Sequence, residues 1–211
     1  MSVTTSTLAE QRTVLHNISW ETFETLLKET GEDRGSRFAY EDGTLEIMTP
    51  LYEHENPKIQ FDRFILVLAE ELGIEIKSAS STILKKRITN RGIEPDNCFY
   101  IQTESKVRGR ETINLETDPP PDLAIEIDIT NSSVNKFRIY SALGVPELWR
   151  YDGEILKFYQ LVEAQYTERK FSVAFPLVSV NDINRFIEQR KAMGEIALLK
   201  SFRTWVRGKI G

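Results

Sequence analysis

The first third of the chain carries the clearest alternation of apolar and polar positions. Apolar residues recur at helical spacing over residues 20–30, which predicts a short amphipathic helix that ends at Gly31. Two alternating segments, at 37–41 and 44–48, flank an Asp-Gly dipeptide, which is a strong signal for a β-hairpin. Apolar residues then repeat with a helical period over residues 52–72, which predicts a second, longer helix.

One stretch in the middle of the chain contains a strand, a helix and a second strand. Residues 123–127 have strand length and composition, and residues 145–151 form a similar apolar run. Between them we expect a helix that begins after Asn131 or Ser132 as N-cap and ends at Gly144. Such a strand, helix and strand form a βαβ unit, so the two strands should be parallel with a right-handed crossover.

The remaining patterns complete a mixed α/β fold. A strand over residues 155–162 is expected to pair with one over 171–175, and two helices with apolar faces are predicted over 181–209. Shorter strands are predicted at residues 74–76, 81–84 and 96–101. Residues 1–13 are polar and lack a period, which predicts a disordered tail. We therefore predict one domain over residues 14–211, with a central mixed sheet flanked by helices and an N-terminal hairpin extension.

Composition places the chain among ordinary globular proteins. Of its 211 residues, 40% are hydrophobic and 28% are charged, and this length suits one domain better than two. No apolar run is long enough to cross a bilayer, and the first residues lack the basic start and apolar centre of a signal peptide, so we expect a cytoplasmic protein. The single cysteine, Cys98, excludes an internal disulfide and a zinc site built from cysteines alone.

The net charge of -5 argues against a protein that coats nucleic acid by neutralising its phosphates. A local basic groove is compatible with that charge, and Lys85, Lys86, Arg87 and Arg91 are the candidates to form one. The alternative is that these side chains belong to an ordinary solvated surface. Both interpretations stay open on the sequence alone.

Three acidic residues lie in or beside the predicted strand at 123–127. Asp122, Glu126 and Asp128 are separated by even numbers, so their side chains should point to the same face of an extended strand. A row of acids on a buried strand is costly unless it binds a cation or faces a wet cleft. For Asp122, which follows a proline, the alternative is a carboxylate that binds backbone amides.

Two carboxylates and a lysine in this part of the chain suit the hydrolysis of a phosphodiester bond. Asp96 opens one predicted strand, Glu126 lies within another, and Lys136 lies on the helix that follows. Carboxylate oxygens hold Mg²⁺ or Mn²⁺, the metal polarises the phosphate and lowers the pKa of an attacking water, and a lysine offsets the charge that develops on the phosphoryl oxygens. Because carboxylates and lysines are common, their spacing alone is weak evidence.

Four segments, taken together, carry a resemblance to a known family. They are YEDGTLEIMTP at 40–50 with His54 and Glu55 after it, EPD at 94–96, PPDLAIEI at 120–127, and the stretch from Lys136 through Tyr140 to GVPELW at 144–149. In this order they resemble the Uma2 (DUF820) family, of cyanobacterial type, in the PD-(D/E)xK restriction-endonuclease-like superfamily. The resemblance implies a restriction-endonuclease-like core and a metal-dependent DNA endonuclease. It also implies that Asp96 and Glu126 are the acids that bind Mg²⁺ or Mn²⁺.

The sequence departs from the motif of this superfamily at the lysine. The residue two positions after Glu126 is Asp128, so the catalytic lysine would come from the helix, as Lys136. Asp128 would then be an additional ligand or a cap of that helix. His54 and Glu55 match the first-helix motif and are accessory candidates; His54 is expected to face the apolar side of its helix. The alternative for His54 is a core histidine held by a hydrogen bond.

Two other functions remain open. A module that kept the fold but lost cleavage would bind nucleic acid or protein, and Asp128 in the position expected for the lysine slightly favours this alternative. A structural protein whose acids line a wet groove would bind no metal. If the chain cuts both strands of DNA, a homodimer is a candidate arrangement.

Overall fold

The structure is a computed structural model that describes residues 10–31, 34–50, 52–80, 82–129 and 132–211, without the side chains of residues 10 and 52–54. Its helices and strands, in chain order, are β1 (Glu10–Leu15), α1 (Trp20–Thr30), β2 (Arg37–Glu41), β3 (Thr44–Pro50), α2 (Tyr52–Leu72), β4 (Lys77–Ser78), β5 (Leu84–Lys86), β6 (Arg91–Ile93), β7 (Asn97–Tyr100), α3 (Glu104–Val107), β8 (Leu123–Ile127), α4 (Lys136–Leu143), β9 (Glu147–Tyr151), β10 (Leu156–Val162), β11 (Gln165–Arg169), α5 (Val180–Gln189) and α6 (Glu195–Ile210). Within these residues no helix combines the length and the apolar character needed to span a membrane.

The strands form two sheets, one of which is mixed. The first sheet has the order β1-β3-β2-β6-β5 and is antiparallel throughout. The second has the order β11-β10-β9-β8-β7-β4; its strands β8 and β9 are parallel, and its other neighbours are antiparallel. Helix α4 connects β8 to β9, which confirms the predicted βαβ unit. The prediction of a mixed α/β fold with helices around a mixed sheet is therefore confirmed.

Side-chain alternation along β8 divides the core into two layers. Leu123 and Ile125 pack in the cluster that includes α2, α5 and α6. Ala124 packs on the opposite face, in the cluster that includes α4. The even-numbered positions of β8 therefore face α4, and Glu126 is one of them. This orientation directs Glu126 toward the helix that carries Lys136.

The β2–β3 hairpin forms as predicted because its turn suits an Asp-Gly dipeptide. Asp42 and Gly43 have φ values of 46° and 92°, and a tight two-residue hairpin turn requires positive φ at both positions. Helix α1 begins after Ser19, whose side chain accepts a backbone N–H of the first turn at 3.1 Å. Phe23 of this helix stacks on Tyr40 of β2, with ring centroids 4.7 Å apart. The hairpin and α1 thus share a small hydrophobic layer.

The structure corrects the predicted tail at residues 1–13. Residues 10–13 belong to β1, which pairs antiparallel with β3 from Glu10 to Leu15. This edge strand has exposed and half-buried side chains. It therefore lacks the apolar stripe on which the recognition of a strand from sequence depends. Residues 1–9 lie outside the described part of the chain.

The strand predicted at 171–175 is wrong, because the partner of β10 is β11. The turn between these strands is Glu163-Ala164, and both residues have positive φ, 47° and 64°. Residues with side chains rarely adopt this conformation, so the turn lacks the usual Asn or Gly signal. Most side chains of β11 are exposed, which also removes an apolar alternation. The strands predicted at 74–76 and 81–84 lie further along the chain, as β4 and β5.

Helix α4 begins later than predicted. Its N-cap is Asn135, whose side chain accepts a first-turn N–H at 3.2 Å. Ser132, one of the two predicted caps, instead donates its hydroxyl to Glu46 at 2.9 Å; Asn131 lies outside the described residues. The later start makes Lys136 the first residue of the helix.

Candidate active site

Glu126 lies on β8, buried, on the face toward α4. Its Oε2 accepts a hydrogen bond from Nζ of Lys136 at 2.5 Å, and its Oε1 accepts one from the hydroxyl of Tyr140. Lys136 and Tyr140 are four residues apart, so both project from one face of α4. The helix thus supplies a cation and a hydroxyl to a single carboxylate.

Lys136 bridges two acids at the end of β8. Its Nζ also donates to Oδ1 of Asp128 at 2.7 Å, and its side chain is 5% exposed. Burial alone would lower the pKa of Lys136, but the charges of Glu126, Asp128 and Asp96 outweigh burial and raise it above its ordinary value. The lysine is therefore a protonated cation held between two carboxylates, and it does not point into solvent.

Asp96 reaches the same site from the neighbouring strand. Strands β7 and β8 pair antiparallel with Asn97 opposite Ile125, so one further step of the register sets Asp96 opposite Glu126. Oδ2 of Asp96 accepts the backbone N–H of Ile127 at 2.7 Å, and the carboxylate is buried. The fold therefore brings together both predicted metal ligands and the predicted lysine.

The acids of the site differ in their affinity for a proton. Burial raises the pKa of Glu126 to about 7, against the lowering effect of Lys136 and with a further increase from Asp96 and Asp128. Burial would also raise the pKa of Asp128, but the charges of Lys136 and Arg150 outweigh it and hold that pKa below its ordinary value. Glu126 is thus an acid whose negative charge is only partly compensated by its surroundings.

Arg150 completes the surroundings of Asp128. It lies on β9 beside Glu126 in the parallel register. Its Nε donates to Oδ2 of Asp128 at 2.8 Å, and its guanidinium lies over the ring of Phe137, 4.5 Å from the centroid. Arg150 is not among the site residues predicted from the sequence. The predicted parallel pairing was the available signal, because it places a residue of β9 directly beside Glu126.

Arg37, the first residue of β2, was also missed. Its Nη1 lies 2.8 Å from Oδ1 of Asp96, and its Nη2 donates to Oε1 of Glu55 at 2.7 Å. Burial would lower the pKa of Arg37, but the charges of Asp96 and Glu55 raise it. Glu55 is 34% exposed and also lies 3.4 Å from Nζ of Lys58. No sequence pattern marks this arginine, because its contacts depend on how the two sheets pack.

The other accessory candidates do not join the site in the same way. Asp122 accepts hydrogen bonds from two backbone N–H groups and a threonine hydroxyl, at 2.7, 2.9 and 2.9 Å. It therefore binds backbone amides at the start of β8, which is the alternative that its sequence position suggested. The side chain of His54 lies outside the described residues. The predicted row of acids is thus divided, with Glu126 and Asp128 sharing a lysine and Asp122 bound elsewhere.

Two acids of the hairpin fix the loop that precedes α4. Glu46 of β3 is buried and accepts the backbone N–H of Ser133 at 2.5 Å. Glu41 of β2 accepts the backbone N–H of Asn135 at 3.0 Å. These hydrogen bonds tie the residues immediately before Lys136 to the five-stranded sheet.

The four basic side chains suggested for nucleic-acid contact each lie beside an acceptor. The pairs are Lys85 with Glu24, Lys86 with the carbonyl oxygen of Leu143, Arg87 with Glu21 and Arg91 with Asp42. Three of these partners are acids, which offset the positive charges of Lys85, Arg87 and Arg91. The arrangement favours an ordinary charged surface over a basic groove at this place.

An open cleft of about 620 Å³ adjoins the lysine side of the site. Its lining includes Asp128, Lys136, Arg150, Lys157 and Tyr159. With Tyr151 and Asp152, which also line it, the walls combine three positive side chains, two acids and two tyrosine rings. A molecule that entered this cleft would lie beside the first turn of α4, where Lys136 and Asp128 line the cleft.

The fit of a divalent cation depends on the donors that the site offers. Among the described residues, no group of three or more His, Cys, Asp or Glu side chains is arranged to hold a metal ion. Mg²⁺, however, is often held by one or two carboxylates together with waters and substrate phosphates. Asp96 and Glu126 supply two such carboxylates, and an oxygen that accepts one hydrogen bond retains a second lone pair. The residues present therefore fit a cation bound through these two acids.

Comparison with known proteins agrees with the sequence resemblance. A search of curated proteins finds no significant match. A solved structure described as a "putative nuclease belonging to DUF820", from Anabaena variabilis ATCC 29413, is similar at 15% sequence identity and a TM-score of 0.44, over 70% of this chain and 89% of that chain. The model of the Uma2 family, described as "Putative restriction endonuclease", matches residues 20–186. This match covers most of the chain, including Asp96, Glu126 and Lys136, and the chain therefore belongs to the Uma2 family.

Proposed function

We propose that this protein is a Mg²⁺- or Mn²⁺-dependent DNA endonuclease that hydrolyses phosphodiester bonds. Membership of the Uma2 family supports a nuclease-like function. One observation supports the more specific proposal of a metal-dependent DNA endonuclease. Asp96, Glu126 and Lys136 come from three parts of the chain and converge in a buried site next to an open cleft.

The proposed roles follow from the chemistry of these side chains. Asp96 and Glu126 would hold the cation, which when bound polarises the phosphate and lowers the pKa of an attacking water. The attacking water would release a proton to solvent as its oxygen bonds to phosphorus, the phosphorus–oxygen ester bond would break, and the leaving oxygen would take up a proton from solvent. Lys136 would donate to a phosphoryl oxygen as negative charge grows on it. Tyr140 would keep the carboxylate of Glu126 in position through its hydrogen bond.

Lys136 can serve a phosphate without leaving its acids. An ammonium group has three N–H donors, and the contacts with Glu126 and Asp128 use two of them. A phosphoryl oxygen that enters from the cleft would accept from the third. Asp128 would then act as an anchor for Lys136, which explains how an acid can occupy the motif position where a lysine is expected.

The cleft beside Lys136 is the proposed path of the DNA strand. Arg150 and Lys157 would contact backbone phosphates, and Tyr159 would offer a ring on which a base can stack. These residues replace the four basic residues around β5 and β6 as the favoured DNA contacts, because they open onto the site itself.

A cleavage assay tests the proposal. Supercoiled plasmid is incubated with Mg²⁺, Mn²⁺ or a chelator and with wild type, E126Q, D96N or E188Q. Glu188 is an exposed residue of α5 paired with Lys191, so E188Q is a matched change of charge outside the site. We expect nicking that requires the cation, is lost in E126Q and D96N, and persists in E188Q. Equal residual cleavage by wild type and E126Q would indicate a contaminating nuclease and would overturn the proposal.

A second candidate is a nucleic-acid-binding module without cleavage. The observation that favours it is that Lys136 already lies between two acids, which lowers its availability to a phosphate. A mobility-shift experiment on the same plasmid distinguishes the two. Binding by wild type that is reduced in R150Q, without cleavage under any metal condition, would support this module and contradict the endonuclease.

A further inference from the structure

Arg37 contacts a carboxylate that a metal ion would also bind. Its guanidinium lies between Asp96, a proposed metal ligand, and Glu55, at 2.8 and 2.7 Å. The two contacts differ in quality. Nη2 makes a well-directed hydrogen bond to Glu55. Nη1 lies close to Oδ1 of Asp96 without the direction of a hydrogen bond, so this contact is electrostatic.

Within the described part of the chain, equal numbers of acids and bases contact one another around Asp96 and Glu126. The contacting groups are four acids, Asp96, Glu126, Asp128 and Glu55, and four bases, Arg37, Lys136, Arg150 and Lys58. A divalent cation bound to Asp96 and Glu126 would add two positive charges beside Arg37 and Lys136, which already contact these acids. Binding is therefore favoured if one of the existing cations moves away from the ligands.

Arg37 is the cation that can move at the lowest cost. Lys136 is held by two buried carboxylates and has no exposed acid among these partners. Arg37, in contrast, already donates to Glu55, whose side chain is 34% exposed and lies away from β8 on α2. Arg37 can release Asp96 and keep Glu55, so the displaced charge retains a partner.

We propose that Arg37 is a built-in competitor of the metal ion, a guanidinium that neutralises Asp96 until a divalent cation replaces it and Glu55 retains the displaced side chain. The inference rests on the proposed function, because it requires the metal site at Asp96 and Glu126. It adds a regulatory property to that site. The affinity for the cation depends on whether Arg37 pairs with Asp96 or only with Glu55.

Isothermal titration with Mn²⁺ tests the competition directly. In R37Q the competing charge is lost, and we expect Mn²⁺ to bind at least about tenfold more tightly than to wild type, since a neighbouring opposite charge shifts a carboxyl's ionisation by one unit or more. R91Q is the matched control, because Arg91 is a similarly buried arginine of the same sheet that pairs with Asp42. Its affinity should equal that of wild type. An affinity in R37Q equal to or weaker than that of wild type would overturn the inference.

Loss of Glu55 should change the Mn²⁺ affinity in the opposite direction from loss of Arg37. E55Q removes the acid that retains Arg37, so Arg37 stays on Asp96 and Mn²⁺ should bind several-fold more weakly. If Glu55 acts through Arg37, E55Q has no further effect once R37Q is present, and the double variant binds Mn²⁺ as R37Q does. An equal loss of affinity from E55Q in both backgrounds would identify Glu55 as a ligand and would contradict the proposed role.

Failure of the inference and failure of the metal site give different results. If wild type and R37Q bind Mn²⁺ with the same affinity and E126Q abolishes binding, the metal site stands and the role of Arg37 is wrong. If R37Q and E55Q both melt cooperatively and neither they nor wild type bind Mn²⁺ at millimolar concentration, the proposed metal site and the inference are both wrong.

Discussion

Glu126 and Glu147 are buried glutamates on the neighbouring parallel strands β8 and β9, yet their partners differ. Glu147 accepts hydrogen bonds from Trp149 at 2.7 Å, from Ser172 at 3.2 Å and from the backbone N–H of Ala174 at 2.7 Å. All three donors are neutral. Glu126 instead lies against the cation of Lys136.

The comparison shows that burial alone does not identify a chemical site. Burial raises the pKa of both Glu126 and Glu147. Glu147 is surrounded by donors that belong to its own core, and such an acid serves to hold neighbouring segments together. Glu126 has a second acid, Asp96, and an adjacent cleft that reaches Lys136. The nature of the partners, rather than the degree of burial, separates a structural acid from a candidate ligand.

The largest expected difference between the two glutamates is in cleavage. E126Q should lower the rate of plasmid nicking by about a thousandfold, because several kcal/mol of transition-state stabilisation depend on the metal ligand. E147Q, measured on protein that remains folded, should retain the wild-type rate. Rates would be compared by gel densitometry at saturating Mn²⁺. Equal losses in the two variants would contradict the assignment of Glu126 as the ligand.

Loss of Lys136 should have the largest effect on stability. K136M leaves Glu126 and Asp128 without their shared cation, and breaking a buried ion pair in this way costs about 3 kcal/mol or more. The free energy of unfolding would be measured in urea at pH 7. K157M is the control, because Lys157 lines the same cleft but its side chain is 47% exposed. If the free energy of unfolding fell by a similar small amount in both variants, the contacts of Lys136 with Glu126 and Asp128 would not be important for stability.

A smaller loss of stability is expected for E147Q. The glutamine amide has nearly the same shape as the glutamate carboxylate. Its N–H₂ group, however, would meet hydrogen-bond donors and could not accept from them. One unsatisfied buried group of this kind costs about 1–2 kcal/mol. The same urea titration measures it. If E147Q destabilised the protein as much as K136M does, the distinction between neutral and charged partners would have no energetic meaning.

The smallest effect should come from Tyr140. Y140F removes one donor from Glu126 and leaves Lys136 in contact with it, so we expect a loss of about 1 kcal/mol in the free energy of unfolding and about a tenfold decrease in cleavage. A loss of cleavage as complete as that in E126Q would show that the hydroxyl has a direct chemical role rather than a positioning one.

Much of the fold could be predicted because local patterns and tertiary packing agree. The helix at 20–30, the Asp-Gly hairpin and the βαβ unit each have a period or a turn signal that the final structure preserves. Strands β1 and β11 lie at sheet edges with exposed side chains, and edge strands require no apolar stripe. Their pairing depends on a neighbouring strand rather than on their own sequence.

The site could be predicted only in part. Asp96, Glu126 and Lys136 were identified through a motif, and the fold brings them together. Their catalytic and metal-binding roles stay predictions. Arg37 could not be found, because its contacts join two sheets through residues far apart in sequence. The role of Asp122 was ambiguous from its spacing. Alternate residues of a strand share one face of the sheet, but this alternation does not identify the groups that each side chain contacts.

The hydrogen bonds that Glu41 and Glu46 make to the loop before α4 have a consequence for the entropy of the reaction. A lysine at the start of a helix is ordinarily free to fray, and the cost of ordering it would be paid each time a phosphate arrived. Here the hairpin orders the loop during folding, when the backbone N–H groups of Ser133 and Asn135 are bound. The ammonium of Lys136 is therefore preorganised, and the five-stranded sheet contributes to the proposed chemistry by removing disorder rather than by supplying that cation.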